Sequence, residues 1–177
     1  MTSLSDMHVL MVDDSRQMRF LIRSLLRASG IYHMSEAESA AEALDIMRMS
    51  TVDLVILDWK MEPIDGLALA RMLRWSEQSP NPYVPILMLT AHTEASRVAA
   101  ARDAGVSGFV KKPISARLLF ERVSFALTDS RMFVRSADFF VPDRRKGQTP
   151  GYTGPFRRKS DSGEEELFDI EDVRYRA

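Results

Sequence analysis

VDLVILDWKMEPIDG, residues 52–66, runs apolar for four consecutive positions and then breaks at an acid. Leu54–Leu57 show no alternation, as expected of a strand buried on both faces, which is the habit of parallel sheets covered by helices. Asp58 is then the first polar side chain at the strand's carboxyl end. A helix is then expected from near Gly66 to Trp75. The two prolines of SPNP (79–82) stop that helix. A second dense apolar run, PILML (85–89), follows. One strand–helix–strand unit is therefore legible from this stretch alone.

The same rhythm extends in both directions. Strands are expected at His8–Val12, His33–Ala37, Asp53–Leu57, Pro85–Leu89 and Gly108–Lys111. Ser15 can cap a first helix whose Met18, Leu21, Ile22, Leu25 and Leu26 form one stripe, and Gly30 ends it. Ser39 with Glu42 fits a capping box opening a second helix through Met49. A fourth helix is expected over Glu94–Ala104, closed by Gly105. Ser115 opens a fifth, with Leu118, Leu119, Val123 and Leu127 facing inward. Five βα units imply an α/β fold: a five-stranded, doubly wound parallel sheet with helices on both faces. Chemistry in such a sheet belongs beyond the carboxyl ends of the strands.

Four strand ends carry the polar residues that matter: Asp13-Asp14, Asp58, Thr90 and Lys111-Lys112-Pro113. An acid at one strand end is ordinarily a helix cap. Acid pair, acid, hydroxyl and lysine on one rim is a different pattern. Clustered carboxylates repel and favour a cation between them, and hard oxygen donors suit Mg²⁺. A lysine and a hydroxyl can then stabilise a transferring phosphoryl group, with the Asp58 carboxylate as acceptor. Lys112 is favoured over Lys111, because alternation turns Lys111 away.

VLMVDDS (9–15), VILDWKMEPIDG (55–66), PILMLTA (85–91) and GFVKKP (108–113) together resemble the receiver domain of CheY-like response regulators, over roughly residues 6–128. The resemblance implies a flavodoxin/CheY-like fold with Asp58 as phosphoacceptor. It implies Asp14 as a direct Mg²⁺ ligand, Asp13 as one acting mainly through water, and Lys60 as one through its backbone carbonyl. Thr90 becomes the switch hydroxyl, Phe109 the switch aromatic, and Lys112 the phosphate-contacting lysine ahead of a cis Pro113. The chain departs from many family members in placing Pro63 five residues after Asp58 and in a longer SPNPYV loop.

Past Thr128 the periodicity ends, and 129–177 reads as a largely irregular tail. The formal net charge of −1 hides its asymmetry. Residues 131–160 hold eight Lys/Arg against two Asp/Glu, whereas 161–177 hold two against seven. FFVPDRRK (139–146) recurs as YTGPFRRK (152–159). Paired arginines beside aromatics suit a ligand with phosphates and flat rings. The tail resembles arginine-rich extensions of CheY-like proteins that bind cyclic di-GMP. That likeness implies Asp143, Arg144, Arg145, Arg157 and Arg158 as ligand contacts, with Arg135 and Tyr152 beside them. Those extensions carry the pattern aromatic-x-Gly-Pro-Asp/Glu-Arg-Arg; Val141 replaces its glycine in the first copy, and Phe156 its acid in the second.

There is no cysteine, so thiolate chemistry and disulfides are excluded. With no long apolar run and no signal peptide, a cytoplasmic protein without membrane insertion is expected. The leading expectation is a single-domain response regulator, not an enzyme beyond its own phosphorylation and dephosphorylation. Its partners would be a sensor histidine kinase or histidine phosphotransfer protein and a downstream protein target. The alternative is a phosphorelay intermediate whose tail is a linker or docking peptide. No helix-turn-helix follows residue 128, so DNA binding is not expected.

Overall fold

A computed structural model of the chain describes residues 6–91, 95–128, 133–135, 140–142 and 166–168. Its elements run β1 (Val9–Val12), α1 (Arg16–Ala28), β2 (Met34–Ala37), α2 (Ala40–Met49), β3 (Leu54–Asp58), α3 (Gly66–Trp75), β4 (Ile86–Thr90), α4 (Ala95–Asp103), β5 (Gly108–Lys111) and α5 (Ala116–Thr128). The five strands form one all-parallel sheet in the order β2-β1-β3-β4-β5. Strand order reverses about β1, so the crevice lies beyond the carboxyl ends of β1 and β3. The expected fold is the observed one, with boundaries shifted by a residue or two.

Each face of the sheet has its own core. Leu10, Val12, Val55, Leu57, Ile86 and Met88 pack under α2, α3 and α4. Val9, Met11, Leu54, Ile56, Leu87, Leu89 and Val110 pack under α1 and α5. The alternation is the pleat of the strands, and every one of these side chains is essentially buried. That is why VDLVIL and PILML show no polar alternation.

Local signals behave as their chemistry requires, with two differences. Ser15, Ser39 and Ser115 each accept a backbone N–H of the following helix, from Met18, Glu42 and Leu118 at 3.3 Å. Gly30 (φ 85°) ends α1, where the Ile31 N–H reaches back to the Leu26 carbonyl at 3.0 Å. The first difference is at α2, where the Glu42 carboxylate accepts from Glu38 N–H at 2.8 Å, one residue ahead of the capping-box position. The second is Leu21, expected on the inner stripe but 40% exposed; Ile22 and Leu26 alone are fully buried there.

Beyond α5 the described residues add three short strands: β6 (Phe133–Arg135), β7 (Phe140–Pro142) and β8 (Glu166–Phe168). They form a separate antiparallel sheet in the order β7-β6-β8. Three-residue strands are too short to leave a readable period. Among the described residues no helix is long and apolar enough to cross a membrane.

Candidate functional site

The acids at the ends of β1 and β3 converge. Carboxylate oxygens of Asp13, Asp14 and Asp58 all lie within 4.8 Å of one another. Asp13 and Asp58 are 1% and 5% exposed, while Asp14 faces solvent. Capping is done by other residues. Ser15 caps α1, and Asp65 caps α3 by accepting the Ala68 N–H at 2.7 Å. The clustered carboxylates are thereby left for chemistry.

Asp13 accepts two hydrogen bonds. Its Oδ1 accepts the Ser15 N–H at 2.9 Å, and its carbonyl accepts Arg19 Nη1 at 2.6 Å. Its Oδ2 is buried without a hydrogen-bond donor. Burial pushes the Asp13 carboxyl above the ordinary carboxylate range, more than the Ser15 N–H lowers it; Asp58 and Asp14 add to the rise and Lys112 opposes it. A buried, donor-less oxygen beside two further carboxylates is what an all-oxygen divalent cation site requires, so these residues fit Mg²⁺.

Lys112 closes the other side. Its Nζ lies 2.8 Å from Asp58 Oδ1 and 3.6 Å from Asp13 Oδ2. Its backbone N–H donates to the Thr90 carbonyl at 2.9 Å, and the following Pro113 bond is cis, as the resemblance implied. Glu62–Pro63 is cis as well. Lys111 is exposed, so the choice of Lys112 follows the pleat. Thr90 is buried at the end of β4, on the pleat side of Ile86 and Met88. Phe109, half-buried, packs against that same core and pairs with Met88. Thr90 and Phe109 thus share the α3–α4 side of the sheet. Lys60 is exposed two residues past Asp58.

Two residues carry roles that the sequence does not announce, Gly66 beside the acids and Arg74 at the opposite edge of the sheet. Gly66 opens α3 directly against the Asp58 backbone, and a Cβ there would collide with the Asp58 carbonyl oxygen. The Gly66 N–H also donates to the Trp59 carbonyl at 2.9 Å, pinning the loop after the acid. The glycine following Asp65 was the available signal. Arg74 is buried, and its guanidinium donates to the carbonyls of Gly105, Pro82 and Val84 at 2.8–3.1 Å. Burial lowers its pKa to about 9. An arginine in a last helical turn carries no sequence signal for that role.

The tail residues Asp143, Arg144, Arg145, Tyr152, Arg157 and Arg158 lie outside the described residues. Arg135 is placed in β6, opposite Phe140 and Glu166. A cavity of about 500 Å³ lies between 47–53 and 80–85, at the amino-terminal end of the sheet. None of the clustered carboxylates lines it.

Residues 9–124 match the family model described as the response regulator receiver domain. The chain belongs to that family. The receiver is 35% identical over 117 residues to chemotaxis protein CheY of Pseudomonas aeruginosa, covering 66% of this chain and 93% of that protein. It is 33% identical over 118 residues to CheY-3 of Vibrio cholerae, covering 67% and 89%. Among solved structures it is similar to V. cholerae CheY4, with a TM-score of 0.63, 29% identity, and 68% and 98% of the two chains covered. A response regulator from Chloroflexus aurantiacus gives 0.64 at 31% identity, with 70% and 98% covered. In these four cases the likeness leaves about a third of this chain outside it.

Proposed function

We propose that the chain is a single-domain response regulator phosphorylated on Asp58, signalling through protein contacts. The observation that carries this is the placement of Lys112 Nζ 2.8 Å from Asp58 Oδ1, beside the Asp13–Asp14–Asp58 cluster. An Asp58 carboxylate oxygen attacks the phosphorus of a phosphohistidine on a kinase or phosphotransfer protein. The P–N bond breaks, the imidazole leaves with the electron pair, and an acyl phosphate remains. Lys112, already paired with Asp58, holds the developing negative charge. Asp13, Asp14 and Asp58, with the Lys60 carbonyl, would hold Mg²⁺, which neutralises phosphoryl oxygens when bound. The Thr90 hydroxyl turns toward the phosphoryl group, and Phe109, on the same side of the sheet, follows it inward. Acetyl phosphate with Mg²⁺ should add one phosphoryl group to the wild type and none to Asp58→Asn. Equal uptake by both would defeat the proposal.

For the tail, we propose cyclic di-GMP as ligand. The repeat of Arg144-Arg145 at Arg157-Arg158 supports it, since two guanidinium pairs match two phosphates and two guanine edges. Asp143, Arg135 and Tyr152 would complete the contacts. Calorimetry should give saturable heat with the wild type and none with Arg144→Ala/Arg145→Ala. Absence of heat from the wild type would leave the tail as a linker.

A further inference from the structure

The second sheet does not stand clear of the receiver. The Cα trace of β7 comes within 8 Å of both α3 and α4. Phe140, Val141 and Pro142 are all apolar. On α3, Met72 and Trp75 remain 37% and 40% exposed with β7 in place, so the strand leaves part of that helix open. On α4, Ala101 lies in the sheet core while Val98, Ala99 and Ala100 stay at least partly exposed. A strand of apolar sequence therefore bridges the backbones of two helices.

Both bridged helices start at the phosphorylation rim. The first residue of α3, Gly66, abuts the Asp58 backbone, and α4 follows the strand that ends at Thr90. We infer that the α3–α4 flank is an interaction surface for the chain's own carboxy-terminal sheet, and that β7 docked there braces the receiver in the arrangement where Asp58 pairs with Lys112. Phosphorylation, by drawing Thr90 toward the acid, shifts α4 relative to α3 and loosens the brace. By linkage, loosening the brace favours phosphorylation to the same extent. The second half of this inference rests on Asp58 being the phosphoacceptor.

The test uses the full chain and Val134→Pro. Val134 is the middle residue of the central strand β6 and pairs with both Val141 and Leu167. Proline there dissolves the small sheet without touching the receiver. Amide exchange in α3 and α4, read without any phosphodonor, should be about fivefold or more faster in Val134→Pro than in the wild type. Acetyl phosphate labelling should also be faster in the variant. Equal exchange in the two proteins overturns the brace, and slower labelling in the variant overturns its direction. Failure of both proteins to label would defeat the phosphoacceptor reading, while exchange would still decide the brace. Should Val134→Pro not fold, Val141→Gly in β7 itself serves the same comparison.

Discussion

Asp13→Asn should stabilise the protein when no divalent cation is present, an unusual sign for a change at a 1% exposed polar residue. With an effective dielectric of 20, Lys112 Nζ at 3.6 Å attracts the Asp13 carboxylate by roughly 4.6 kcal/mol. Asp58, within 4.8 Å, repels it by at least about 3.5 kcal/mol in the same medium. Asp14 repels it further, screened by its exposure. These terms nearly cancel, and burial of an oxygen with no donor decides the balance. Removing that charge while keeping Oδ1 for the Ser15 N–H should gain about 1–2 kcal/mol, the scale of one unsatisfied buried group. For a domain of this size that raises Tm by roughly 3–8 °C in chelator. The pH dependence has a definite sign. The folded-state pKa of Asp13 lies above its ordinary 3.8, so in that window the native state binds more protons than the unfolded state. Its contribution to stability therefore falls as pH rises through the window, and the penalty is complete above it. The advantage of Asp13→Asn should be absent below pH 3.8 and open as pH rises. Thermal unfolding of both proteins from pH 3 to 8 in chelator measures it. With Mg²⁺ added, the wild type should recover and the variant should not. A variant less stable than the wild type at pH 7 in chelator would refute this reasoning.

Other substitutions should separate neighbours. Lys112→Ala leaves the buried Asp58 carboxylate without its 2.8 Å partner and should lose about 1–3 kcal/mol in denaturant titration, whereas exposed Lys111→Ala should stay within about 0.5 kcal/mol. Gly66→Ala sets a methyl against the Asp58 carbonyl and should destabilise by about 1–3 kcal/mol while slowing acetyl phosphate labelling. Arg74→Leu strips the donors from the carbonyls of Pro82, Val84 and Gly105, the last two in buried bonds, and should lose about 2–4 kcal/mol, with faster amide exchange across 76–85.

The sheet and its rim were legible because each depends on a local pattern. Unbroken apolar runs at 54–57 and 86–89 marked strands buried on both faces, and the polar residues ending them had to share an edge. Pleat parity separated Lys112 from Lys111. Contacts between distant segments left no such trace. Nothing in RMLRW shows that Arg74 turns inward to carbonyls at 82, 84 and 105, because only the folded chain brings those oxygens together. Helical spacing puts Leu21 on the inner stripe, yet the seam under α1 is narrower than the apolar stripe. The strands of the second sheet leave no sequence signal because three residues cannot establish a period, and β8 pairs with a strand about thirty positions earlier.

The central claim is that Asp58 is the nucleophile of a site assembled from three strand ends and a lysine. Borohydride reduction of the acyl phosphate after acetyl phosphate treatment, followed by peptide mass mapping, locates the modified carboxyl directly. The account predicts a single reduced residue at Asp58, dependent on Mg²⁺ and lost when Asp13 and Asp14 are both changed to Asn. Reduction at another acid, or at Asp58 with equal yield in chelator, would contradict it.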